Sequence, residues 1–337
     1  MKKFLKILII VLSVIIVLLI IAISTLAILN SMGKKAFHKN DTNIVNKNVT
    51  TEDGGIVYKG ERYKLNPDVI ALLLIGVDKG NVNEDMSVGV NGQADTLLVA
   101  VIDTKSRAVT VIPISRETLV DVNQYTTNGN YSGVSNKQIC LAYAYGDSVE
   151  QSSENVLLSV SRVLFGINIS SYVTMDLNAL EKLSNAVGSM EVAVNEDYYD
   201  TDTGIRYKAG STIKVKGKSA VNYVHWRTDD VDANNYRMER QQSFMTAFMN
   251  KAGNQISDNF SKVITYYNLM KPYVSTNITL SQTTYLTTSC LRINLGNAIK
   301  FVKIPGETFL KDGYSAFKPD YDALTDIVID AFYTKIS

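Results

Sequence analysis

The run DVIALLLIGVD, Asp68 to Asp78, is apolar without alternation between its two aspartates and is bounded by Pro67 and Gly80. Continuous apolarity at that length predicts a buried central strand, covered on both faces. Two more apolar runs follow, DTLLVAVID and AVTVIPI, separated by the short polar turn TKSR, which predicts a hairpin. The first and second of these three strands are joined by the polar, glycine-bearing loop KGNVNEDMSVGVNGQA, and both ends of that loop carry aspartates.

After Ser115 the pattern becomes mainly helical. SVEQSSENVLLSVSRVLFG is amphipathic and closed by Gly166, and LNALEKLSNAVG is closed by Gly188. SYVTMD and SMEVAV flank the second helix as a strand-helix-strand unit, and EDYYDTDTGIRYKAGSTIKVKG reads as a loop or small hairpin. Short helices are then expected near Ser219 to Trp226, from Asn234, near Ile256 to Met270, after Ser281 and from Asp320, with a strand at AIKFVKIP. The expected fold is a single α/β domain, residues 67–337, with a central mixed sheet flanked by helices.

Ahead of it, Phe4 to Leu29 is almost wholly apolar for 26 residues, with Lys6 its only charge. That length spans a bilayer with some tilt, and no small-residue cleavage site is evident, so the expectation is one uncleaved N-terminal transmembrane helix. Residues 1–30 then form a cytoplasmic tip and anchor, and the polar residues 31–66 a stalk, within which GGIVYKGERYKLN suits a short edge hairpin. Lys2, Lys3 and Lys6 precede the span and Lys34, Lys35 and Lys39 follow it, so loop charge favours neither orientation. A formal net charge of +1 gives no electrostatic basis for nucleic-acid binding. Cys140 and Cys290 lack metal-ligand spacing with a second cysteine or with either histidine; a single bridge between them is open to an extracellular chain but not required, and two separate buried thiols is the expected reading.

The stretch NNYRMERQQSF, Asn234 to Phe244, carries its charges at an unusual end of a helix. Asn234 or Asn235 suits an N-cap, yet Arg237 and Arg240 follow at once, where acidic residues are normally favoured. At 100° per residue, Arg237, Arg240 and Gln241 share one arc with Phe244 and Phe248, so the guanidinium groups head the apolar face. Either they snorkel to water or they meet a buried anion, for which helix N–H groups and forked donors suit a phosphate or pyrophosphate. Asp78 and Asp95 end one central strand and begin the next. If those strands are antiparallel neighbours, both carboxylates reach one sheet edge, an arrangement suited to Mg²⁺ shared with substrate phosphates as well as to ordinary turn residues. Arg116 follows the third strand and Arg227 follows YVHW, again at element ends, where sites tend to be built.

Taken in order, LLLIGVD, ADTLLVAVID, VTVIPISRETLVDV, KQICLAYAYGD, YVHWR and YRMERQQSF resemble the LytR-CpsA-Psr family of membrane-anchored cell-wall glycopolymer transferases, over roughly Ala71 to Lys251. The resemblance implies a domain outside the cytoplasmic membrane that holds a polyprenyl-pyrophosphate-linked glycopolymer, its tail in a hydrophobic pocket. It implies transfer of that polymer with one phosphate to a peptidoglycan hydroxyl, giving a phosphodiester. By matching, Asp78 and Asp95 are the metal-associated aspartates, for Mg²⁺, and Arg116, Arg227, Arg237 and Gln241 contact pyrophosphate, with Arg240 a supporting charge. Asp78 is the candidate to accept the attacking hydroxyl's proton.

The sequence departs from the family pattern at three places. Gln93 stands where an arginine is usual, His225-Trp226-Arg227 replaces Arg-x-Arg, and Pro113-Ile114-Ser115-Arg116-Glu117 replaces Ser-Ile-Pro-Arg-Asp. Gln93 donates only neutral hydrogen bonds, about half as strong as charge-assisted ones. His225 suits a phosphate contact or an ordinary structural role. The missing charges also suit a protein that binds polyprenyl (pyro)phosphate without turnover, in envelope regulation, and, because transferase and hydrolase share the phosphate site, a hydrolase of the same pyrophosphate is a further expectation.

Overall fold

The structure, a computed structural model, describes residues 21–79, 82, 88–228, 230, 233–259, 261–290, 293 and 298–336. Its centre is the apolar run, which forms strand β4 (Val69–Val77), after a short meander of β1 (Thr50–Glu52), β2 (Gly55–Tyr58) and β3 (Glu61–Leu65). β5 (Ala94–Asp103) lies antiparallel to β4 on one side, and β6 (Ala108–Pro113) pairs antiparallel with β5 across the expected hairpin. On β4's other side runs β9 (Ser171–Met175), in parallel. β14 (Val274–Thr276) and β15 (Ile299–Phe301) complete a six-stranded mixed sheet in the order β14-β9-β4-β5-β6-β15.

Strand pleating sends alternate side chains of β4 to opposite layers. Leu73, Ile75 and Val77 pack in one cluster with Val156 and Val160 of helix α2 (Val149–Val163), whose N-cap Ser148 accepts from the backbone N–H of Gln151. Ile70 and Leu72 pack in another cluster with Phe37, near the end of helix α1 (residues 21–37), and Tyr285 of α7 (Leu280–Cys290). Both faces of β4 are covered because the strand has apolar side chains on both. Where α1 crosses α7, a Cβ on Gly33 would clash with the backbone carbonyl of Ser281, so glycine allows the close approach.

A third cluster lies beside the sheet. It joins α3 (Leu177–Val187), a two-stranded sheet of β10 (Met190–Ala193) and β13 (Thr212–Val215), α4 (Lys218–His225) and α5 (Ala233–Asp258) around Val187, Val215, Tyr223 and Phe244. The hairpin of β11 (Tyr198–Asp200) and β12 (Ile205–Tyr207) flanks it. The remaining elements are β7 (Leu119–Tyr125) paired with β8 (Tyr131–Gln138), a 3₁₀ segment at Ile139–Tyr145, α6 (Lys262–Met270), β16 (Gly306–Lys311) paired with β17 (Tyr314–Pro319), α8 (Tyr321–Phe332) and β18 (Tyr333–Ile336).

Several expectations are corrected. Residues 31–66 are not a free stalk: Ile44, Ile56 and Tyr58 are buried in the same cluster as β4, and β3 pairs with β18, tying both ends of the domain together. The segment holds too few apolar residues to show a period, but those few are the ones that insert. SYVTMD and SMEVAV do flank α3 as the strands β9 and β10, but among the described residues β10 pairs with β13 and not with the central sheet. The region after Ser115 opens with a β-hairpin rather than a helix. The helix from Asn234 runs on to Asp258, so the expected helix near Ile256 begins at Lys262 instead. Most of the expected transmembrane span, residues 4–20, lies outside the described residues. Among the described residues no helix is long and apolar enough to cross a membrane.

Candidate functional site

The antiparallel register of β4 and β5 sets Val77 opposite Ala94, and the backbone N–H of Asp78 donates to the Gln93 carbonyl at 3.0 Å. Asp78 and Asp95 therefore meet at one sheet edge, as the strand pattern predicts. Three more elements converge there. Arg116 arrives from the β6–β7 connection, Arg237 from the first turns of α5, and His225 from the end of α4.

Asp95 lies between two arginines, 3.2 Å from Arg116 Nη1 and 3.2 Å from Arg237 Nη1. Arg116 also donates to Gln93 Oε1 and to Cys140 Sγ, the latter at 3.3 Å. Arg237 Nη2 donates to Asn234 Oδ1 at 2.6 Å, and Asn234 Nδ2 donates to Ser115 Oγ at 2.9 Å. Asn234 is thus no N-cap; it sits inside the first turn of α5 and fixes Arg237. Arg237 is 1% exposed. The buried Nε donors of Arg116 and Arg237 have no hydrogen-bond acceptor among the described residues. A buried donor without a partner is costly, and two beside one cleft mark where an anion would satisfy them. Burial lowers the Arg237 pKa against the pull of Asp95, and Arg116 and Arg227 add to that lowering. For Arg116, burial acts in the same direction but is outweighed by Cys140, Asp95 and Glu117, so its pKa rises.

His225 Nε2 lies 3.5 Å from Asp78 Oδ1 and 3.8 Å from Asp95 Oδ2. One ligand atom from each of Asp78, Asp95 and His225 lies within 4.8 Å of the others. Asp95 Oδ1 is buried and accepts no hydrogen bond among the described residues, although Arg116 Nη1 is near. Two carboxylates at this separation fit a hard divalent cation that keeps other sites for phosphate oxygens and water.

Two cavities meet at these side chains and share Asp95, His225 and Arg237. The polar one, about 610 Å³, is lined by Asp78, Gln93, Arg116, Arg227 and Asn222 among others. The apolar one, about 110 Å³, lies between the sheet and the helices, lined by Leu74, Leu98, Leu180, Val224, Phe244 and Met245. Arg227 is exposed at the mouth, and Gln241 lines the apolar cavity, donating to Thr96 Oγ1 at 2.9 Å.

Arg240 is the exception among the expected site residues. It is as buried as Arg237 but lines neither cavity, because a step of three residues turns it toward α4. Its Nε donates to the Tyr223 carbonyl at 2.9 Å, one Nη to the Trp226 carbonyl and the other to Glu196, and its guanidinium lies 5.1 Å from the Trp226 ring centroid. Those carbonyls belong to the C-terminus of α4, where a cation is favoured. The charge ill-placed for its own helix suits its neighbour's. Burial holds its pKa down at about 10.

A model of the LytR_cpsA_psr family matches residues 26–330. This chain belongs to the LytR_cpsA_psr family. It is 25% identical over 268 residues to the polyisoprenyl-teichoic acid–peptidoglycan teichoic acid transferase TagU of Enterococcus faecalis, covering 78% of each chain. It is 24% identical over 249 residues to TagV of Bacillus subtilis, a transferase of the same description, covering 70% of this chain and 58% of that one. Among solved structures, Bacillus subtilis TagV superposes with a TM-score of 0.60 at 22% identity, over 78% of this chain and 97% of that one. TagT bound to LI-WTA superposes with a TM-score of 0.58 at 18% identity, over 78% and 89%.

Within this LytR_cpsA_psr member, sequence reasoning missed the residues that hold the arginines. Cys140, Asn234 and Ser115 carry no charge pattern and are recognised only by what they touch. Asp176 gave a signal in being the N-cap of α3, accepting from Ala179 N–H at 2.8 Å, and it also accepts from Val82 N–H beside the apolar cavity. The two thiols are unpaired, Cys140 buried and Cys290 half-buried.

Proposed function

We propose that this chain transfers a polyprenyl-pyrophosphate-linked glycopolymer onto a peptidoglycan hydroxyl, as the names of its relatives TagU and TagV describe for them. The carrying observation is the junction of an apolar cavity with a mouth holding Arg116, Arg227, Arg237, Asp78 and Asp95. An amphiphile with a long apolar tail and a doubly charged head matches that junction. The tail would lie along Leu74, Leu180, Phe244 and Met245, and the pyrophosphate would satisfy the open Nε donors of Arg116 and Arg237.

In the transfer step the acceptor oxygen attacks the phosphorus that carries the glycan. Its bond to the bridging oxygen breaks, and polyprenyl phosphate leaves with the electron pair. Arg116 and Arg237 oppose the charge developing on the leaving side, and Asp78, half-exposed at the mouth, takes the hydroxyl proton. Asp78 and Asp95 would hold Mg²⁺, which supplies charge neutralisation of the pyrophosphate when bound. We place the domain outside the cytoplasmic membrane, with residues 4–29 as a single-pass anchor beside its lipid-linked donor.

Full-length protein in detergent, given a lipid-pyrophosphate glycan, Mg²⁺ and peptidoglycan, is expected to yield a covalent glycan–peptidoglycan conjugate. Absence of conjugate across several glycan classes would overturn the proposal. A binding-only or hydrolytic role draws on the Gln93 amide being engaged by Arg116 instead of adding a positive charge. Phosphate release without acceptor would identify hydrolysis, and lipid binding with neither product would identify a binding protein.

A further inference from the structure

We propose that His225 is a third protein ligand to the divalent cation of this site, and that the resulting two-carboxylate, one-imidazole set selects Mn²⁺ over Mg²⁺. The proposal rests on the metal reading given above and makes it more specific. One ligand atom from each of Asp78, Asp95 and His225 lies within 4.8 Å of the others, with His225 Nε2 at 3.5 and 3.8 Å from the two carboxylates. Around an octahedral ion with bonds of about 2.1 Å, adjacent ligand atoms lie about 3 Å apart, so His225 Nε2 is within about an ångström of that spacing from each carboxylate. His225 is the last residue of α4, and its side chain is 43% exposed, free to make that adjustment.

The surrounding backbone is not free to move. Arg240 binds the Tyr223 and Trp226 carbonyls on either side, and Gln241 Nε2 reaches the Val224 carbonyl at 3.3 Å. The helix end therefore presents the imidazole to the carboxylates from a fixed base. A second, independent feature points to a ligand here: the fully buried Arg237 leaves its Nε unpartnered beside the same carboxylates. Pyrophosphate oxygens at that donor could complete the cation's coordination.

Chemistry then sets the preference. Mg²⁺ takes oxygen ligands and gives up water reluctantly, whereas imidazole favours first-row transition ions. Mn²⁺ accepts carboxylate, phosphate and imidazole together.

The test is titration of full-length protein with Mn²⁺ alone and Mg²⁺ alone, with pulsed EPR of the Mn²⁺ complex. Wild type is expected to bind Mn²⁺ at least about tenfold more tightly than Mg²⁺ and to show nitrogen modulation from a directly bound imidazole. His225→Gln is expected to lose the nitrogen signal and about tenfold or more of the Mn²⁺ affinity, the scale on which even residues behind a ligand matter, with Mg²⁺ affinity and thermal midpoint little changed. Mn²⁺ binding without nitrogen modulation, unaltered in His225→Gln, would overturn the assignment of His225 while leaving the carboxylate site intact. Failure to bind either ion, with or without inorganic pyrophosphate, would overturn both the assignment and the metal reading on which it rests.

Discussion

Arg237 and Arg240 stand one helical turn apart, equally buried, and do different work. Arg237 faces Asp95 and the cleft, with an open donor. Arg240 spends its donors on the carbonyls of α4 and on Glu196. Arg237→Ala is expected to remove measurable lipid-pyrophosphate binding, read by titration with a water-soluble short-chain analogue, and to cost less stability than Arg240→Ala because Asp95 keeps Arg116 as a partner. Arg240→Ala leaves the half-buried Glu196 carboxylate without its partner and frees a helix end, so it should cost on the order of 2–3 kcal/mol of unfolding free energy. That loss is to be measured by denaturant melt. If Arg240→Ala left stability intact but abolished binding, the division of roles would be wrong. The sequence showed that both arginines face inward, because a period of 3.6 depends only on spacing. It did not show which of two inward directions each takes, since that depends on α4, whose approach is a tertiary matter.

At the scale of elements, the same distinction holds. The central strands were legible because β4 and β5 are long and apolar on both faces, and the meeting of Asp78 with Asp95 followed from their antiparallel pairing. The hairpin of β2 and β3 was legible in GGIVYKGERYKLN, whereas residues 119–138 were not legible as sheet, because short strands with mixed burial give no clear period. The N-terminus of α4 shows how side chains replace what periodicity lacks. Gly217 with its positive φ of 58° offers no side-chain cap. Instead Asp200 of β11 receives Ser219 Oγ at 2.7 Å and Asn222 Nδ2 at 3.2 Å. Burial pushes the Asp200 pKa up, but the donors from Ser219, the Asp202 backbone and Asn222 outweigh it, and the net shift is downward. A depressed carboxylate stabilises the fold above its unfolded pKa of about 3.9 and loses that contribution as pH falls through its lower folded value. Asp200→Asn should therefore be less stable than wild type at neutral pH and converge with it in strong acid. Parallel acid-unfolding curves would count against this link.

Over the whole molecule, three apolar clusters meet at the inner cavity: Ile75 and Val77 from one, Leu180, Val224 and Phe244 from or against a second, and Leu74, Leu98 and Met245 from or against the third. A ligand that binds only the folded state at a hundredfold excess over its Kd stabilises by about 2.7 kcal/mol. Polyprenyl phosphate at that excess is expected to raise Tm by several degrees, and inorganic pyrophosphate at equal concentration by less, in a thermal scan of full-length protein. Equal shifts for the two would remove the apolar cavity from the account. If the cavity does take the tail, the donor is a detachable part of the protein's interior. Each turnover would then end with a looser molecule than it began with, and the interval between release of one lipid and capture of the next would be when a protease finds its substrate.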